Sequence, residues 1–78
     1  MLEDPIISTL FVTIKENKNK YVEIKIYDIN SNIISKVTDY ICSEDFVAEI
    51  SMEKIIKGTY FLNIDIDGVV IRKIFIKM

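Results

Sequence analysis

The last third of the chain, KGTYFLNIDIDGVVIRKIFIKM, alternates apolar and polar residues at period two and turns back on itself at Asp67-Gly68. Only a β-strand puts Tyr60, Leu62, Ile64 and Ile66 on one face with Phe61, Asn63 and Asp65 on the other. The Asp-Gly pair is the strongest hairpin signal present, because a type I′ turn needs positive φ at both central residues. Taken literally, a two-residue turn sets Ile66 opposite Val69, Ile64 opposite Ile71 and Leu62 opposite Lys73. That register places a lysine beside core residues. A bulge between Val70 and Arg72 would shift the phase and bring Ile74 and Ile76 into the core. Alternatively, an edge position would lay the lysine stem over apolar atoms and turn Phe75 inward. The bulge is the favoured reading, since it buries two isoleucines.

The same period runs through the rest of the sequence. In YVEIKIYD, Val22, Ile24 and Ile26 oppose Tyr21, Glu23, Lys25 and Tyr27, and in LFVTIK, Leu10, Val12 and Ile14 oppose Phe11 and Thr13. Each is the pattern of a strand with one buried face. ENKNK between them suits a hairpin loop. DINSN suits a tight reversal in which Asn30 and Asn32 accept left-handed backbone, leading to a third strand in IISKVTDY. DFVAEIS reads as a fourth strand with Phe46, Ala48 and Ile50 on one face. SMEKIIKG carries Met52, Ile55 and Ile56 at helix-like spacing, but its length suits a single turn plugging the end of a sheet. The fold class expected is all-β: a small antiparallel β-sandwich, immunoglobulin-like, with six to seven strands, and an open barrel as second choice.

Length and charge restrict function. The 78 residues make one domain, 1–78, close to the lower size at which a hydrophobic core alone supports folding. The net charge is −2 and the lysines are scattered among carboxylates, so no basic footprint for nucleic acid is present. No stretch reaches the roughly 20 apolar residues of a membrane helix. MLEDP lacks the basic and apolar regions of a signal peptide. Met1-Leu2-Glu3 would equally suit the boundary of a piece from a longer protein.

Catalysis finds little raw material. There is no His, and the one Cys, Cys42, excludes an intrachain disulfide and reads as a plain buried or loop thiol. Gly58 and Gly68 are the only glycines, so no glycine-rich phosphate loop exists. Asp65 with Asp67, and Glu44 with Asp45, are carboxylate pairs of a kind common in turns and on strand surfaces. No catalytic residue, cofactor or metal site is expected.

In order and spacing, nearly the whole chain resembles the C-terminal sorting domain of proteins exported by the type IX secretion system of Bacteroidetes. The resemblance rests on Pro5, Leu10-Phe11-Val12, VEIKIYDIN at 22–30, ISMEKIIKGTYFLNI at 50–64 and RKIFIKM at 72–78. Within it Asp28 matches the turn aspartate, and Met52 and Ile55 the apolar plug. Gly58 and Tyr60 match the glycine and aromatic of the penultimate element, and Lys73 and Lys77 the terminal lysines. Three turn positions depart from the family: Glu3-Asp4 for Pro-Asn, Ser31 for glycine, and Ile56 for proline.

The resemblance implies a non-catalytic module at the end of a longer protein, exported through the periplasm to the cell surface or beyond. Its implied partners are the outer-membrane translocon and the sorting and processing machinery, with Asp28, Gly58, Tyr60, Lys73 and Lys77 as recognition residues. A homodimer formed by strand-edge pairing is a further expectation. The alternative reading is a structural or glycan-binding accessory sandwich, which predicts an outer aromatic patch including Tyr21, Tyr27 and Phe61.

Overall fold

Period two becomes strand wherever the sequence carries it. The structure, a computed structural model, describes residues 9–78. Their six strands are β1 (Thr9–Lys15), β2 (Lys20–Tyr27), β3 (Ile33–Ile41), β4 (Asp45–Ser51), β5 (Gly58–Ile66) and β6 (Val69–Lys77). Pro5, Glu3-Asp4 and Met1-Leu2-Glu3 lie outside the described residues.

Two antiparallel sheets result. One pairs β1 with β4, and the other runs in the order β3-β2-β5-β6. Their inner faces share a single apolar cluster to which Leu10, Val12 and Ile14 contribute from β1, and Ala48 and Ile50 from β4. From the larger sheet come Val22, Ile24, Ile26, Ile41, Leu62, Ile64 and Ile66. Burying each large aliphatic side chain stabilises the fold by about 1.5–3 kcal/mol relative to leaving it exposed. Among the described residues this is a sandwich of two separate sheets, and not an open barrel. Its order matches that of strands B and E facing C′, C, F and G in an immunoglobulin sandwich.

The ENKNK segment is not a hairpin, because β1 and β2 belong to different sheets. Two left-handed residues, Glu16 (φ 62) and Asn19 (φ 69), carry the chain across. The Glu16 N–H donates to the Glu44 carbonyl at 3.0 Å and the Asn19 N–H to the Ile41 carbonyl at 2.7 Å, so the crossing is tied to the β3–β4 connection. A strand with one apolar face needs an opposing layer, and β1 finds it by leaving the sheet of its neighbour in sequence.

The favoured bulge in β6 does not form. Asp67 (φ 53) and Gly68 (φ 87) make the two-residue turn, and the register runs unbroken from Ile66 opposite Val69 to Gly58 opposite Lys77. Lys73 therefore sits opposite Leu62, Phe75 turns inward against Tyr60, and Ile74 and Ile76 stay 65% and 50% exposed. The edge reading is the correct one. An outer strand that the small sheet does not cover gains nothing from a phase shift, so the turn alone sets the register.

A bulge occurs instead between β2 and β3. Ile26 pairs with Ser35 but Tyr27 pairs with Ile33, leaving Ile34 as the extra residue. On the outer face, Glu23 meets Lys25 and Lys36, each at 3.4 Å. Partial desolvation raises its carboxyl, but the two ammonium groups outweigh that and hold it below its ordinary 4.5. Exposed pairs of this kind contribute little to stability.

Candidate functional site

One end of the larger sheet collects most of the residues that the sequence singles out. The β2–β3 turn is organised by Asp28, whose Oδ1 accepts from the N–H groups of Asn30 (2.8 Å) and Asn32 (2.9 Å). Its Oδ2 accepts from the Asn32 side-chain amide at 3.1 Å. These donors, the Asn32 N–H foremost, hold the Asp28 carboxyl below its ordinary 3.8. The residue with left-handed backbone is Ser31 (φ 66), not Asn30 or Asn32. The carboxylate satisfies the donors of the turn, and the strained conformation falls on the position where the family carries glycine.

The β4–β5 connection packs beside this turn. Met52 is fully buried and accepts at its carbonyl from the Ile55 N–H at 3.0 Å, which makes the single-turn plug that the spacing suggested. Gly58 has φ 155, a conformation that L side chains rarely adopt. A Cβ there would meet only the Tyr60 ring, at 3.8 Å, so backbone conformation and not space demands glycine.

Two residues on, the Tyr60 hydroxyl donates to the Ile56 carbonyl at 2.6 Å. A buried tyrosine near the start of the fifth strand, bonded to backbone a few residues upstream, is the tyrosine corner of immunoglobulin-like sandwiches. It ties the plug to β5, and the Tyr60 ring stacks on Phe75 with centroids 5.8 Å apart.

Turn and plug enclose a groove of about 480 Å³ whose lining includes Asp28, Ile34, Ile55, Gly58 and Tyr60. Ile29, Ile56, Lys54 and Lys57 also border it. None of these last four, nor Ile34, is among the recognition residues that the sequence suggests. Apolar residues at the turn positions Ile29 and Ile56, 70% and 79% exposed, were the available signal.

The two terminal lysines differ. Lys77, opposite Gly58 in the register, is buried and donates through Nζ to the Met78 carbonyl at 3.2 Å. Lys73 is exposed four residues back along β6, roughly 13 Å away at strand rise. Asp28, Gly58 and Tyr60 therefore share the groove, Lys77 lies on the strand beside it, and Lys73 stands apart.

The aromatic patch expected of a glycan-binding module is divided. Tyr27 pairs with Phe61 at one end of the sheet, with Arg72 over the Phe61 ring at 5.6 Å. Tyr21 sits toward the other end against Tyr40, with centroids 4.9 Å apart. Cys42 is an exposed loop thiol between β3 and β4. Among the described residues no group of three or more His, Cys, Asp or Glu is placed to hold a metal ion, and no helix is long and apolar enough to cross a membrane.

Comparison with curated proteins gives no match, and comparison with solved structures gives none. The family model described as the secretion system C-terminal sorting domain matches residues 4–77. This family supplies the sorting signal of type IX secretion, which engages the secretion machinery and marks proteins for export to the cell surface or extracellular space. Turn, plug and terminal hairpin occur in the family's order along nearly the whole matched length, and the chain belongs to the secretion system C-terminal sorting domain family.

Proposed function

We propose that residues 1–78 act as a single non-catalytic module of a longer exported protein, read by the secretion machinery at the groove end of the sandwich and along β6. The convergence of Asp28, Gly58 and Tyr60 around one groove carries this reading. Each has a shaping role: Asp28 ties the turn, Gly58 supplies the backbone angle and Tyr60 locks the plug. Lys77 fixes the end of β6, and Lys73 is displayed to a partner. A preformed surface of this kind avoids the ordering entropy that a flexible tail loses on recognition.

Fusing residues 1–78 to a periplasmic reporter in a type IX-competent host tests the reading. Delivery of the reporter to the surface or medium is expected. Retention in the periplasm, while a control sorting domain is exported, would overturn it. Lys73→Ala is expected to lower export with no change in melting temperature, whereas Gly58→Ala is expected to lower both.

A further inference from the structure

Strand β6 is an outer strand among the described residues, with one face exposed and the other covered only at Phe75 and Lys77. Val69, Val70, Ile71, Ile74 and Ile76 are all exposed, an unusual load of apolar surface for an edge. Its backbone is equally available. Where a two-residue turn closes an antiparallel hairpin, the closing pair exchanges hydrogen bonds and the pattern alternates from there. Val69, Ile71, Lys73, Phe75 and Lys77 thus spend their backbone groups on β5. Val70, Arg72, Ile74 and Ile76 turn theirs to the free edge, where no other described strand pairs.

The charges on this strand are all of one sign. Residues 69–78 contain Arg72, Lys73 and Lys77 and no carboxylate side chain, in a chain whose net charge is −2. Pairing with β6 of a second copy would set these cations against the same three side chains. An acidic strand would meet them with opposite charge.

We infer that the free edge of β6 is a strand-addition site for an extended, acidic, apolar-alternating segment of the export machinery. Main-chain bonds at Val70, Arg72, Ile74 and Ile76 supply the register. On the outer face Ile74 and Ile76 contact the apolar side chains of the incoming strand, and on the opposite face Lys73 selects its carboxylates. The inference rests on the sorting-domain reading and names the chemistry of the partner.

The test is a titration of the 1–78 chain with two short synthetic peptides, one alternating valine and glutamate and one alternating valine and lysine. Amide hydrogen exchange is followed residue by residue. In the free chain, at monomer mass, the amides of Val70, Arg72, Ile74 and Ile76 should exchange freely. The glutamate peptide should protect them, bind at least about tenfold more tightly than the lysine peptide, and weaken as salt is raised.

Ile74→Pro removes one outward donor, a change edge strands tolerate, and should abolish protection. Lys73→Glu should invert the peptide preference, which keeps the test decisive should the proline variant not fold. Equal binding of both peptides, absence of binding, or protection mapping to another strand would overturn the inference. So would protection already present in the free chain, which assigns the edge to residues 1–8 in a monomer or to a second copy in a dimer. Export of the reporter by the wild-type module in any of those cases would leave the sorting function standing.

Discussion

Strands β5 and β6 leave one Asp67-Gly68 turn with comparably apolar sequences and have opposite fates. In β5, Tyr60, Leu62, Ile64 and Ile66 are buried beneath the β1–β4 sheet. In β6, Val69, Ile71, Ile74 and Ile76 remain in solvent, and only Phe75 and Lys77 are substantially covered. Local pattern and hairpin register are equally regular in both. The difference is position among the described strands: β5 lies between β2 and β6, while β6 is outermost and the opposing layer has two strands. Alternation therefore identifies a strand, and neighbours decide whether its apolar face belongs to the core. An apolar strand left open at an edge is an aggregation hazard unless a partner uses it, which makes it the natural place to look for one.

The widest gap between the two strands should appear on truncating matched isoleucines. Ile64→Ala in β5 is expected to cost about 2–5 kcal/mol, a large share of the stability of a domain this size, as read by denaturant unfolding. Ile74→Ser in β6 should change it by less than about 0.5 kcal/mol. Equal losses would mean that β6 is covered in solution and would break the contrast.

Backbone strain at the start of β5 comes next. Gly58→Ala should cost about 1–3 kcal/mol, because alanine must either hold φ near 155 or shift the strand against Lys77. A neutral result would show that the β5 end of the hairpin adapts as freely as the β6 edge. Tyr60→Phe tests the tie from plug to β5 and should cost about 0.5–1.5 kcal/mol, since the lost bond leaves the Ile56 carbonyl without its hydroxyl donor.

The smallest effect belongs to the turn beyond the other side of β5. The Asp28 carboxyl is held below its ordinary 3.8 by donors that require the ionised form. Its contribution is complete above that value and is lost as pH falls through the lower folded-state pKa, so acid should loosen the β2–β3 turn first. Exchange of the Asn30 and Asn32 amides against pH would show it. Protection unchanged by acid in the wild type, or an equally acid-sensitive turn in Asp28→Asn, would remove the carboxylate from that role.

Several features were legible because they are local. The inward faces of β1, β2, β4 and β5 follow from alternation, and the plug at Met52 follows from length and spacing. The Asp67-Gly68 turn announces itself through the backbone angles those residues accept. The order of motifs was enough to indicate the family, which the match over residues 4–77 shows. Other features were hidden because they depend on contacts distant in sequence. Nothing local says that β1 pairs with β4 instead of β2, since both pairings bury the same face. The left-handed residue at Ser31 was missed for a different reason: several turn geometries fit DINSN, and the local bonds of Asp28 to Asn30 and Asn32 select one of them.

The hairpin at the end of the chain shows where the division falls. Sequence alone determined that it is a hairpin and where it turns, because turn geometry and side-chain alternation are properties of neighbouring residues, but it left the register open between a bulged and an unbroken pairing. Tertiary structure alone decided that Lys73 faces solvent, Phe75 the core, and Ile74 and Ile76 an open edge. The reason is that burial is set by the area of the opposing sheet, and the two described strands of one sheet cannot cover the four of the other.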